Sequence, residues 1–300
     1  MALQSSGAID FSDINVELDN SASAQLNIGG TDARDLAEVS SGAISMSDFY
    51  GKSSVIVGQA SFTSGGTWVA PTGVTSVSIV AIGAGVGGRA PIGGGGGALA
   101  YKNNYTVTPG GSYDVTVGGP ADYPNNAGPT NFRNGPTTVV EARGAAGTQG
   151  GSDVESTGDA AFRGGNGGYN SGGGGTAGYD ADGNSSAGGS GKSGANVSGN
   201  RGGGGGGGVS IFGEGPSGTT AGQGGSGGTN GRQPSPDAAY GGRGGDYGAG
   251  GGGGSDDDND GGPGGYGRSD GSGQEGALRI MWPGDQRSFP ATNAGNLSSL

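Results

Sequence analysis

The chain has 300 residues, 80 of them Gly, with no Cys, no His and a formal charge of −12. Without thiols there is no disulfide, thiolate metal site or cysteine nucleophile, and without imidazole there is no Ser–His–Asp triad. The acidic excess argues against nucleic acid or anionic lipid as the main partner, and a hydrophobic share of 30% is too small for one large aliphatic core.

Met1 to Gly7 lacks the basic start and apolar run of a signal peptide, and no window approaches a membrane span. Within residues 1–54 an internal repeat is visible: SSGAIDFSDI (Ser5 to Ile14) returns as SSGAISMSDF (Ser40 to Phe49). Ser12 and Ser47 are natural N-caps, with Asp13 and Asp48 in the first turn of each helix. Between the copies, Thr31-Asp32 opens a short helix through Val39 with Ala33, Leu36 and Val39 on one side. Helices this short are marginal alone, which predicts a docking module that leans on a partner. Its apolar residues Ile9, Phe11, Ile14, Ile44, Met46, Phe49 and Tyr50 are the docking candidates.

From Val55 the hydrophobic period changes to two. Val55 to Phe62, Val74 to Ile82, Ala98 to Val107, Tyr113 to Val117 and Thr137 to Ala142 predict strands, with turns at Pro71-Thr72-Gly73, Pro109-Gly110-Gly111 and Asn134-Gly135-Pro136. The imperfect alternation of Val77 to Ile82 suits a strand covered on both faces. Ala277 to Trp282 predicts a further strand with Leu278, Ile280 and Trp282 on one face. Residues 55–143 plus 277–283 therefore predict a β-sandwich, and 284–300 a C-terminal tail.

Between them, residues 144–276 hold 54 of the glycines. A flexible, disordered insertion is one reading, because so few apolar side chains cannot offset ordering entropy. The nearly pure glycine blocks, such as Gly202 to Gly208, favour a packed one. Extended helices of the polyproline-II type make no internal hydrogen bonds. Laid side by side they can bond to one another where no Cβ holds them apart. The expected fold class is thus mainly β with polyglycine-II-type helices: a small N-terminal docking module, a β-sandwich, and a glycine-rich bundle inserted before the last strand.

Motifs with catalytic or cofactor chemistry fail on context, so no enzyme and no cofactor is expected. Gly83 to Gly88 fits G-x-G-x-x-G but runs into Pro91 and five glycines instead of a helix. Gly51-Lys52-Ser53 and Gly191-Lys192-Ser193 lack the upstream glycine of a phosphate loop. Gly241 to Asp246 begins like a calcium-binding nonapeptide but has no tandem copy. Asp256, Asp258 and Asp260 offer oxygen ligands for Ca²⁺, with a solvated acidic loop the competing reading. Aromatics beside the glycine runs can cap a bundle or, on rigid loops, form a recognition surface. Tyr169, Tyr179, Phe212, Tyr240, Tyr247 and Tyr266 are the receptor-contact candidates.

Three stretches carry a family likeness. SSGAIDFSDI with SSGAISMSDFYGKS resembles the N-terminal module of tailed-phage virion proteins, especially marine ones. FTSGGTWVAPTGVTSVSIVAIGAGVGG (Phe62 to Gly88) resembles the opening of glycine-rich domains in phage tail fibres, and GALRIMWPGDQRSFP (Gly276 to Pro290) the way they close. More loosely, the chain is similar to adhesins that cap long tail fibres. The resemblance implies a tail-fibre or adhesin component in the virion, attached through its N-terminus to other tail or baseplate proteins. It would work in a homo-oligomeric or larger assembly and meet a host surface protein or glycan through its loops. The alternative is a purely structural baseplate or capsid-decoration subunit.

Overall fold

The computed structural model describes residues 3–18, 20–52, 54, 57–89, 92–168, 172–184, 190–192, 194, 205–231, 244–251 and 272–291. The chain divides into two compact units, Met1–Val57 with Pro71–Gly73, and Gly58–Ala70 with Val74–Leu300. No described helix is long and apolar enough to cross a membrane.

In the smaller unit, α1 (Phe11–Glu17), α2 (Thr31–Ala37) and a 3-10 helix (Met46–Phe49) enclose Leu3, Ile9, Ile14, Ala33, Leu36, Ala37 and Phe49. Ile14 and Phe49 occupy the same place in the two repeat copies, and both are fully buried. The caps fall two residues earlier than Ser12 and Ser47. Asp10 accepts from the amides of Ser12 (2.8 Å) and Asp13 (3.1 Å), and the Asp13 carboxylate accepts from the Asp10 amide. In the second copy the Asp48 carboxylate accepts from the amide of Ser45 at 2.8 Å. Reciprocal capping needs an acceptor three residues on; Asp10 and Ser45 have one in Asp13 and Asp48, whereas Asn15, three residues after Ser12, is buried with its side-chain amide donating to Ala24 O. These bonds lower both carboxyl pKa values, Asp10 chiefly through the Ser12 hydroxyl and Asp48 through the Ser45 amide.

The larger unit is mainly β. Its strands are β1 (Gly58–Phe62), β2 (Gly66–Val69), β3 (Ser76–Ile82), β4 (Val86–Gly87), β5 (Leu99–Thr106), β6 (Ser112–Thr116), β7 (Ala121–Asp122), β8 (Thr130–Asn134), β9 (Thr137–Ala142), β10 (Ala160–Phe162) and β11 (Ala277–Trp282). One antiparallel sheet runs β1-β11-β3-β5-β10 and a second β2-β6-β8-β9, with β4 and β7 forming a short parallel pair. β11 sits inside the first sheet, second from its edge, pairing Ile280 with Ala60 on one side and Ile79 on the other.

Alternation decides what each face buries. Val77, Ile79, Ala81, Ala100, Leu278, Ile280 and Trp282 meet Trp68, Tyr113, Val115, Phe132, Val140 and Ala142 of the second sheet. Tyr113 stacks on Phe132 at 5.2 Å, and Trp68 packs against Trp282 at 5.7 Å. The opposite face carries Val80, Ile82, Leu99, Tyr101, Ala277 and Met281, covered by Ala177, Tyr179, Val209 and Ile211 of the glycine-rich region and by Phe289. Residues expected as a tail therefore continue onto the sheet: the Gly284 amide donates to Ser76 O (3.1 Å) and Phe289 is buried.

Beyond that layer the glycine runs bond sideways to one another. From Gly93 to Ala98 successive amides turn to three neighbours in rotation. Gly93 and Gly96 donate to Gly168 and Gly165, Gly94 and Gly97 to Gly251 and Gly248, and Gly95 and Ala98 to Gly147 and Arg143. The same run accepts at Gly94 and Gly97 from Gly174 and Ala177, at Gly95 from Val86, and at Gly96 from Gly151. Elsewhere Gly164 and Gly167 donate to Gly151 and Thr148, and Gly191 and Gly194 to Thr176 and Gly173. A Cβ on Gly94 or Gly97 would lie within 3.0 Å of the backbone of Val86 or Gly83, closer than real Cβ atoms come. Glycine is needed at those positions because backbone lies directly against backbone.

Candidate functional site

The sequence of β11, Ala-Leu-Arg-Ile-Met-Trp, places an arginine where the strand needs an apolar residue. Arg279 points to the glycine-rich side and is fully buried. Its guanidinium donates to Ile211 O (3.3 Å) and to the side-chain oxygen of Gln59 on β1, and lies 4.8 Å from the centroid of the Phe212 ring. Burial, and next the charge of Arg287, pull its pKa down to about 10, so it is cationic at neutral pH. Arg287 is itself buried and donates to Gly58 O at 2.7 Å.

The segment above Arg279 is fastened by side chains as well as by its own backbone. Phe212 N donates to Ser210 Oγ (3.0 Å) and Gly213 N to the Tyr179 hydroxyl oxygen (3.2 Å), while that hydroxyl donates to Ser210 O (2.9 Å). Ile211 is buried, yet Phe212 remains 43% exposed. The next residue but one is Glu214, half-buried, its amide donating to Pro290 O at 3.0 Å. Burial and then the charge of Asp180 raise its carboxyl pKa. Asp180 is exposed on a turn closed by the Gly178 amide donating to Ala181 O. Together these residues form an exposed aromatic on a fastened backbone, with the Glu214 carboxylate two residues further along the chain.

The aromatic candidates separate accordingly. Phe212 is exposed and Tyr247 half-buried, packed against the outer-face cluster. Tyr179 is a correction: it is 0% exposed and stacked on Phe289 at 5.7 Å, and burial raises its hydroxyl pKa. It holds the segment Ser210 to Gly213 from below and is not at the surface. Tyr169, Tyr240 and Tyr266 lie outside the described residues, as do Asp256, Asp258 and Asp260. Among the described residues no cluster of three or more acidic side chains is arranged to hold a metal ion. Arg279, Asp180 and Glu214 were not among the expected site residues; the signal for the first was an arginine inside an otherwise apolar strand.

The docking candidates are also redistributed. Ile9, Ile14 and Phe49 are buried, and Ile44 and Met46 pack partly against them, so these five form the small unit's own core. Phe11, at 53% exposure, and Tyr50, whose hydroxyl donates to Gly7 O, remain at the surface. A side chain already buried inside its own unit cannot also be the contact, so of the docking candidates Phe11 and Tyr50 are the ones left at the surface.

No curated protein sequence matches the chain. A family model described as a glycine-rich domain matches residues 60–283, from β1 through the whole array to the end of β11. The chain belongs to the glycine-rich domain family.

Proposed function

We propose that the protein is a tail-fibre or adhesin component of a tailed-phage virion, docked through its N-terminal unit and contacting the host surface through loops of its glycine-rich region. It acts by binding and not by catalysis. In this reading the glycine runs are polyglycine-II helices in a close-packed bundle. The observation that carries the reading is the three-residue rotation of hydrogen-bond partners along Gly93 to Ala98. An extended helix with threefold repeat sends every third amide in the same direction. Such a bundle is rigid without aliphatic residues, and so lends preorganisation to loops that would otherwise lose entropy on binding. The repeated SSGAI segments and the closing GALRIMWPGD support the virion assignment by resemblance.

The test exchanges the segment 212–221 for that of another glycine-rich domain protein and measures host adsorption and particle assembly separately. The reading expects adsorption to change while particles assemble normally. Loss of assembly with unchanged adsorption would assign the chain instead to a structural baseplate or decoration role.

A further inference from the structure

We propose that Phe212 is the apolar anchor of a protein–protein contact, held in place by Arg279 as its positioning residue, and that its partner presents a basic surface. The idea deepens the host-contact reading by naming the residue and the chemistry of what it meets. Three observations converge on it.

The first is fixation. Ser210 to Gly213 are tied through Ser210 Oγ, the Tyr179 hydroxyl and the Arg279 guanidinium, and Ile211 is buried beneath. The second is exposure: the same network leaves 43% of Phe212 facing out, with one side of the ring against the guanidinium. A large ring on a fixed backbone loses little freedom when a partner covers it, and aromatic anchors of this kind dominate interface energies.

The third is charge. Glu214 follows Phe212 by two residues, and the exposed Asp180 follows Tyr179, whose hydroxyl holds Gly213; burial, and next the charge of Asp180, disfavour ionisation of Glu214. An incoming ammonium or guanidinium relieves that repulsion, whereas a sulfated glycan or anionic lipid adds to it. The formal charge of −12 acts in the same direction at long range. An apolar pocket bordered by Lys or Arg is therefore the surface this patch fits.

The experiment uses the full-length chain on an immobilised array of short peptides, each an apolar residue flanked by Lys or Arg, beside uncharged versions. Heparin and phosphatidylglycerol vesicles are run in parallel. Retention on the basic peptides is expected, falling at least about tenfold in Phe212→Ala, as for an interface anchor. Asp180→Asn with Glu214→Gln should weaken binding and flatten its salt dependence. Fluorine NMR of a trifluoromethyl-phenylalanine at position 212 should report a ring as ordered as the core, and Arg279→Met should make it mobile. Retention on heparin or vesicles only, absence of retention on any basic peptide, or retention unchanged in Phe212→Ala overturns the contact. A mobile ring in the unmutated chain overturns the positioning role. Host adsorption unchanged after exchange of the segment 212–221 would remove the preceding reading while leaving these results standing.

Discussion

The two faces of the five-stranded sheet are closed by opposite means. On one, Trp68, Tyr113 and Phe132 from the second sheet fill the space with large rings. On the other, a single layer of side chains around Met281 and Tyr179 gives way to glycine runs in which backbone lies on backbone. In the first case side-chain volume excludes water, and each strand satisfies its peptide groups within its own sheet. In the second the peptide groups themselves are the packing material, bonded to several neighbours at once. Adding a methylene group strengthens the first kind of core only where there is room, and ruins the second anywhere in its interior. Among the described residues, low apolar content limits side-chain cores while backbone hydrogen bonds continue the packing.

The largest expected effect lies on the side-chain face. Phe132→Ala removes a fully buried ring in contact with Trp68, Tyr105 and Tyr113, and should lower unfolding free energy by about 3–5 kcal/mol. Urea titration with an unchanged slope would show it. Met281→Ala, on the face of the five-stranded sheet turned to the glycine-rich region, should remove about 2–5 kcal/mol and shift the same single transition. Two separate transitions would break the claim that both faces belong to one cooperative structure.

Within the array, Gly97→Ala forces a Cβ against the Gly83 carbonyl and should be destabilising by about 1–3 kcal/mol. Faster hydrogen exchange at the amides of Gly93 to Ala98 is the local readout. Gly119→Ala, where a Cβ would meet nothing within 4 Å, should change stability by less than about 1 kcal/mol; an equal loss at both sites would refute the packing argument. The smallest effect is expected in the N-terminal unit. The lowered pKa values of Asp10 and Asp48 mean that their caps stabilise it fully above the ordinary aspartate range near 4, and less as pH falls below it. NMR of Ile14 and Phe49 during acid titration should show this loss, and the Asp10→Asn, Asp48→Asn double variant should flatten it.

Much of the β-framework was readable from alternation: β9 and β11 begin and end at the expected residues, and Leu278, Ile280 and Trp282 share the inner face. The strand expected from Val55 starts, among the described residues, at Gly58. β2 and β8 escaped notice because each buries little apolar surface of its own: Trp68 is the buried residue of Gly-Thr-Trp-Val, and Phe132 the one large apolar residue of Thr-Asn-Phe-Arg-Asn. Which glycine run lies against which was beyond the sequence altogether. Register in a sheet is read from side chains, and a run such as Gly93 to Gly97 has none to read. The same silence hid the direction of Tyr179: an aromatic beside glycines carries no neighbouring pattern to say whether it points in or out. Arg279 stood out as a charge among apolar residues, yet its target, the carbonyl of Ile211 and the face of Phe212, exists only after the chain has returned to the sheet.

That return has a consequence for biosynthesis. The seat of β11 lies between β1 and β3, which leave the ribosome long before it. At about 5–20 residues per second, the intervening chain takes on the order of 10–40 s to appear. During that interval the sheet has a vacant slot lined with open strand edges, the usual entry point for mispairing. Residues 144–276, made just before β11, hold 54 glycines, which offer no side chain to grip the slot, whereas Ala277–Trp282 alternates in the way the slot requires.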